Sequence, residues 1–195
     1  VTEQNNSTAN LDFNTAIDDT SLEDNLAVDS ANFPPVAVQI EKIAERQRQI
    51  SAKIHIPHSV ERIWQVLTDY EALVDFIPNL AKSRLMEHPQ GGIRLEQVGS
   101  QRLLNVNFCA RVVLDLEEHF PKQITFSMVE GDFKGFSGSW KLEPCSVDGI
   151  TGTNLCYTIQ VWPKLTMPVT IIERRLSKDL QLNLLAIYQR IAQLA

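Results

Sequence analysis

Cysteine is scarce: Cys109, Cys145 and Cys156 are the only three in 195 residues, and no two stand as C-x-x-C. An odd, widely spaced set argues against a disulfide framework and suits a reducing compartment. Histidine is nearly as rare. His55, His58, His88 and His119 stand apart, none with a partner at metal-binding spacing, and there is no H-E-x-x-H, Walker loop or G-x-G-x-x-G. No metal and no cofactor are expected. No apolar run approaches the ~18–20 residues of a membrane span, so no transmembrane segment is expected. The N-terminus lacks the basic and apolar regions of a secretory signal. The expected compartment is the cytoplasm, with an organelle left open should a transit peptide have been removed. Basic clusters are limited to Arg46-Gln47-Arg48 and Arg174-Arg175. Without a basic stripe, nucleic acid is not an expected partner. Trp64 then reads as core, and Trp140 as core or cavity wall.

Charge of one sign is missing altogether from the first 35 residues. They contain no Lys or Arg and seven acids, from Glu3 to Asp29, which leaves eighteen cations against seventeen acids in the rest. The net charge of −6 therefore belongs to a tail and not to the body. This tail is rich in Asn, Thr, Ser and Asp, and its apolar residues have only weak helical spacing. Residues 1–35 are expected to be mostly disordered, with a protein partner docking there as the functional alternative. Residues 36–195 are expected to form one domain.

What is present is periodicity. From Pro168 to Ala195, apolar residues recur at Val169, Ile172, Leu176, Leu180, Leu184, Ile187, Ile191 and Leu194. Steps of three and four describe one face of a long helix, with Thr166 as the expected N-cap. Upstream the period is two. Ile50, Ala52, Ile54 and Ile56 alternate with polar residues, and Pro57 ends the strand. Ser59 opens a helix with Val60, Ile63, Trp64 and Leu67 on one face, and a second short helix runs from about Glu71 to Phe76. Strands follow at 83–88, 93–98, 105–119, 124–129, 136–142 and 155–161, the first two flanking the turn Pro89-Gln90-Gly91-Gly92. Val36–Ile43 alternates as a strand, while Ile40, Ile43 and Gln47 also share a helical face. Clean alternation marks an antiparallel sheet covered on one side.

Particular residues carry a resemblance. The run Ile63-Trp64-Gln65-Val66-Leu67-Thr68-Asp69-Tyr70-Glu71, followed by Phe76-Ile77-Pro78-Asn79-Leu80, resembles the first-helix signature of a branch of the START-like (SRPBCC) superfamily. That branch is the polyketide cyclase/dehydrase and lipid-transport proteins, related to coenzyme Q-binding proteins. Phe136 to Pro144, then Gly152-Thr153 and Tyr157, resembles its late hairpin. The likeness covers about residues 48–194. It implies an α+β helix-grip fold, with a curved antiparallel sheet wrapped around the C-terminal helix and two short helices after the first core strand. It also implies an apolar cavity between sheet and helix.

The expected function is binding or transport of a small hydrophobic ligand, such as a lipid, isoprenoid or quinone. Alternatives are a polyketide cyclase, aromatase or dehydratase and a protein-interaction module. Sharing the dry faces of neighbouring strands, Phe108, Val112, Phe126 and Met128 are expected cavity walls. Trp140, Tyr157 and Ile159 continue that wall. The last helix should add Ile172, Leu176 and Leu180, with the gap opening at its N-terminal half. Tyr70, Phe76, Ile77 and Pro78 are expected at the entrance. For catalysis a polar group must polarise a carbonyl or move a proton. Tyr157 and Glu130 lead the candidates; Arg111 alternates to the wet side, and one of Arg174 and Arg175, which flank the helix stripe, is a candidate for the cavity mouth.

Overall fold

The computed structural model describes residues 33–194 apart from 104, 105 and 148, and leaves the side chains of 101–108 and 147 undescribed. The expectation of disorder in the acidic tail thus lies outside the described residues. The chain divides into Val1–Phe33 and a body, Pro34–Ala195.

In the body, period-two segments become strands and period-3.6 segments become helices. The elements run β1 (Ala37–Ala44), β2 (Gln47–Ile56), α1 (Val60–Thr68), β3 (Leu80–Met86), β4 (Ile93–Leu103) and β5 (Val106–His119). They continue as β6 (Gln123–Gly131), β7 (Gly135–Val147), β8 (Ile150–Trp162) and α2 (Val169–Gln193). A single 3-10 turn, Ala72–Asp75, takes the place of the second short helix. All eight strands form one antiparallel sheet in the order β1-β2-β8-β7-β6-β5-β4-β3. The ambiguous segment before Ile50 is a strand: β1 folds back on β2 with Ile40 opposite Ile50. Its helical alternative fails because β2 offers an edge on which the backbone of β1 is satisfied.

The core lies between the inner sheet face and α2. Ile50, Ala52, Ile54 and Ile56 of β2 are buried, as are Leu155, Ile159 and Val161 of β8. Leu184, Ile187 and Ile191, in the second half of α2, are fully buried against that side. Leu194 lies beyond the helix and is half exposed. The N-cap of α2 is Pro168 and not Thr166, and no side chain caps it. The preceding segment is held from outside. Arg46, in the β1–β2 turn, donates through Nη2 to the carbonyls of Lys164 and Met167, both at 2.8 Å. Arg48 of β2 forms an ion pair with Glu173 in the first turns of α2. The β1–β2 hairpin therefore fixes where the helix begins.

Two local features shape the inner face. Gly138 of β7 sits opposite Phe126 of β6 and Ile159 of β8. A Cβ there would fall 2.1 Å from the Thr158 carbonyl oxygen and 2.6 Å from Phe126 Cζ. The missing side chain is the space in which the Phe126 ring lies. The second feature is a bulge: Leu114 pairs with Met128 but Val113 pairs with Glu130, so Val129 is the extra residue. One inserted residue reverses the facing of everything after it.

On the outer face, Glu96 of β4 is 5% exposed and gathers three cations. Lys82 approaches at 2.6 Å, Arg84 at 3.0 Å and Arg111 at 2.7 Å. Hydrogen bonds from Lys82 and then Arg111 pull its pKa from 4.5 down to about 2. A carboxyl depressed in the folded state stabilises the fold fully above its unfolded value, and the contribution disappears as pH falls through the folded value. Stability from this cluster is expected to decline from about pH 4.5 toward pH 2. Glu96→Gln should remove that part of the profile, as read by chemical denaturation across pH. Separately, Gly138→Val is expected to cost at least about 3 kcal/mol, the upper end of ordinary overpacking, because the obstacle is backbone, measured the same way at pH 7.

Candidate functional site

Between α2 and the inner faces of β4–β8 lies a partly open cavity of about 190 Å³. Its sheet wall is apolar and aromatic. Val112, Leu114 and Leu116 come from β5, Phe126 from β6, and Ile159 from β8. Trp140 and Tyr157, directly paired across β7 and β8, stack with ring centroids 3.6 Å apart and planes within 8°. Phe136 stacks on Phe126 on one side and on Phe133 on the other. The clustering is a consequence of strand alternation: residues of one parity on neighbouring strands share a face.

The opposite wall is α2. Ile172, Leu176 and Leu180 line the cavity as their stripe dictates, and Ile187 extends it. The gap therefore reaches past the N-terminal half of the helix. Beside that stripe, Arg175, Asp179 and Asn183 also line it. The side chains of Arg175 and Asp179 are only 13% and 20% exposed, and Arg175 Nε stands 3.7 Å from Asp179 Oδ2. Across the gap, Asn79 Nδ2 donates to Asp179 Oδ1 at 3.2 Å. Asn79 has φ 61, in the left-handed region that Asn tolerates better than other side chains. Its carbonyl accepts from the Ser100 amide, which holds the turn over the helix. Burial raises the Asp179 carboxyl above the usual range, although Arg175 and Asn79 act against the rise. Burial, and next the Asp179 charge, push the Tyr157 phenol upward, so Tyr157 stays protonated at neutral pH.

At one end, Tyr70, Ile77 and Pro78 line the cavity. Tyr70 is anchored on both sides: its hydroxyl donates to Glu118 Oε1 at 2.6 Å, and its carbonyl accepts from Ser83 Oγ. Phe76 is a correction. It leaves the lining and lies under Arg190 of α2, with the guanidinium carbon 5.5 Å from the ring centroid. Neighbours in a tight turn project to different sides, and Phe76 takes the side away from the cavity.

Two other expectations change, and one is not tested. Glu130 does not face the cavity; it is 70% exposed and paired with Arg111, because the bulge at Val129 reverses its facing. Met128 is packed against the core but is not on the cavity wall. Its sulfur lies over Gly131, where a Cβ would meet it at 2.7 Å. The Phe108 side chain lies outside the described residues. Sequence reasoning missed Asp179 and Asn183. Their signal was the recurrence of polar residues at 175, 179 and 183, four apart, which on a surface helix ordinarily marks the wet face.

A curved antiparallel sheet gripping a long C-terminal helix defines the START-like, helix-grip fold. Residues 56–185 match the family model described as polyketide cyclase / dehydrase and lipid transport, and the chain belongs to that family. Over 100 residues it is 30% identical to the persistence and stress-resistance toxin PasT of Escherichia coli, a match covering 51% of this chain and 61% of that protein. The chain thus spans about three-fifths of that relative's length. Among solved structures it is similar to a START superfamily protein of Mycobacterium smegmatis, with a TM-score of 0.62 and 18% identity over 75% of this chain and 99% of that one. It is also similar to the aromatase/cyclase Zhui of a Streptomyces species, with a TM-score of 0.56 and 15% identity over 75% of this chain and 94% of that one. At such identities the likeness is one of fold. No helix among the described residues is long and apolar enough to cross a membrane.

Proposed function

We propose that this protein binds a small hydrophobic ligand in the cavity between α2 and the sheet, and acts as a carrier or sensor. The observation that carries the reading is the cavity itself: about 190 Å³ walled by aliphatic and aromatic side chains. For scale, an apolar cavity of about 150 Å³ stays dry and admits benzene. The space therefore suits a body of one or two rings, or a comparable length of chain, with any longer tail leaving through an opening. Val112, Phe126, Trp140, Tyr157 and Ile159 would contact the ligand from the sheet. Ile172, Leu176 and Leu180 would do so from the helix, and Tyr70, Ile77 and Pro78 at the entrance. Burial of apolar ligand surface would supply most of the affinity.

Leu176 is half-buried at the middle of the helix wall. Leu176→Trp is expected to fill the gap and abolish uptake of hydrophobic ligand while the protein stays folded. Native mass spectrometry of lipid-exposed protein measures the first and circular dichroism the second. Equal uptake by both proteins would place the site elsewhere.

A second reading, a cyclase or dehydratase of a polyketide-like substrate, is favoured by one observation. Tyr157, kept protonated by burial, shares the cavity with the Asp179 carboxyl and the Arg175 guanidinium. A phenol O–H can donate to a carbonyl as negative charge develops on its oxygen. On this reading Tyr157→Phe should lower turnover by about 10²-fold or more with binding retained, followed by single-turnover assay. Unchanged turnover would remove Tyr157 from the chemistry.

A further inference from the structure

The cavity wall tapers, and the taper is written into two paired strands. On β4 the inward positions are Leu95, Gln97 and Gly99; on β5 they are Leu114, Val112 and Ala110, and all of them line the cavity. They stand directly opposite one another, Leu95 with Leu114, Gln97 with Val112 and Gly99 with Ala110. Directly opposed side chains fill one stretch of wall together. Here they shrink in step along the strands, from two leucines to a hydrogen atom and a methyl group. Burial falls with size: Leu95, Leu114 and Val112 are buried, whereas Gly99 and Ala110 are half-buried. The far end of the cavity is shut by Leu67, Leu116 and Ile124, all buried. The near end is the open one, since Pro78 lines the cavity there and is exposed. Packing does not demand the glycine. A Cβ at Gly99 would come no nearer than 3.8 Å to the Asn79 carbonyl oxygen and 3.9 Å to that of Ala110, which are ordinary contacts. Nor is its backbone left-handed, as those of Gly91 and Gly149 are. A glycine inside a strand weakens it, and where neither sterics nor backbone calls for one it marks a close approach by something else.

We propose that the rim at Gly99 and Ala110 is a portal for the tail of a long ligand, and that this pair sets the length of chain the protein accepts. The inference rests on the cavity being the ligand site. A volume of about 190 Å³ holds roughly a six- to eight-carbon chain, given that ~150 Å³ admits benzene. A longer chain must carry its remaining carbons out of the inner cavity. Between them Gly99 and Ala110 put one methyl group in its way, while the Leu95–Leu114 end keeps the first carbons out of water. The ligand class is therefore a molecule with a linear apolar chain longer than the cavity, and its length is read by β4 and β5.

The test compares 1-hexanol with 1-dodecanol on delipidated full-length protein by equilibrium dialysis, with bound alcohol measured by gas chromatography. Hexanol fits the inner cavity, and dodecanol needs the portal. Each buried methylene tightens binding by up to about four-fold, so wild type should bind dodecanol at least about 100-fold tighter than hexanol. Gly99→Leu fills the rim from β4, and the ratio should fall below about ten-fold. Ala110→Leu fills it from β5 and should give the same result, which keeps the test open should the first variant melt early. A wild-type ratio no greater than that of the variants would overturn the inference and leave the cavity as a ligand site. Binding of neither alcohol to wild type would overturn both.

Discussion

A straight helix cannot follow a curved sheet along its whole length, and everything that concerns function in this protein depends on that mismatch. The helix is held at two places. Leu184, Ile187 and Ile191 bury it against the β2 side of the sheet. At its other end the β1–β2 hairpin pins it through Arg46 and the Arg48–Glu173 ion pair. Between these anchors β4–β8 curve away from it. The cavity is what remains when both anchors are satisfied. Its length along α2, from Ile172 to Ile187, is the interval over which the two surfaces separate.

The fold was legible in the sequence because it rests on two periodicities that do not interfere. The stripe from Val169 to Ile191 allowed only a helix, and alternation from Ile93 to Val161 allowed only strands. Even the turn at Pro89–Gly92 carried its own chemistry, and Gly91 does adopt φ 77. The wall residues followed from the same alternation wherever the register ran uninterrupted, as for Val112, Phe126, Trp140, Tyr157 and Ile159. It failed where register broke. Nothing in the sequence Phe126-Ser127-Met128-Val129-Glu130 announces that Val129 is surplus to its partner strand, yet that surplus turns Glu130 toward Arg111 and the solvent. A bulge is a relation between two strands, and alternation within one strand does not contain it.

The polar half of the cavity was hidden for a different reason. Arg175, Asp179 and Asn183 obey the helix period as well as the leucines do, and period alone does not say whether the second stripe meets water or a cavity. The answer depends on the width of the gap. Had the sheet lain flat against α2, these residues would flank a dry seam and reach solvent at its edges. Because the sheet curves away, they stand inside. Asn79 is the counterpart on the other side of the gap. Its left-handed backbone and its bond to Asp179 both depend on a turn placed by Tyr70, Ser83 and Ser100 from distant parts of the chain.

That arrangement bears on whether the cavity is a packing defect or a site. A defect in an interior selected for stability would be dry and apolar, since unmatched polar atoms add cost to the lost packing. Here the lining combines both costs. Six aromatic side chains line the cavity, and beside them a charged pair and an amide take up wall positions that aliphatic side chains would fill more cheaply. The outer face shows what this chain does with charges when stability is the only demand. Glu96 is compensated by three cations, and Asp115 by Arg94 and His88. Inside the cavity Arg175 and Asp179 stand 3.7 Å apart, and Asp179 accepts from Asn79 across the gap. Polar side chains held on this wall, where aliphatic ones would cost less, are the strongest structural argument that the cavity is a site and not a packing defect.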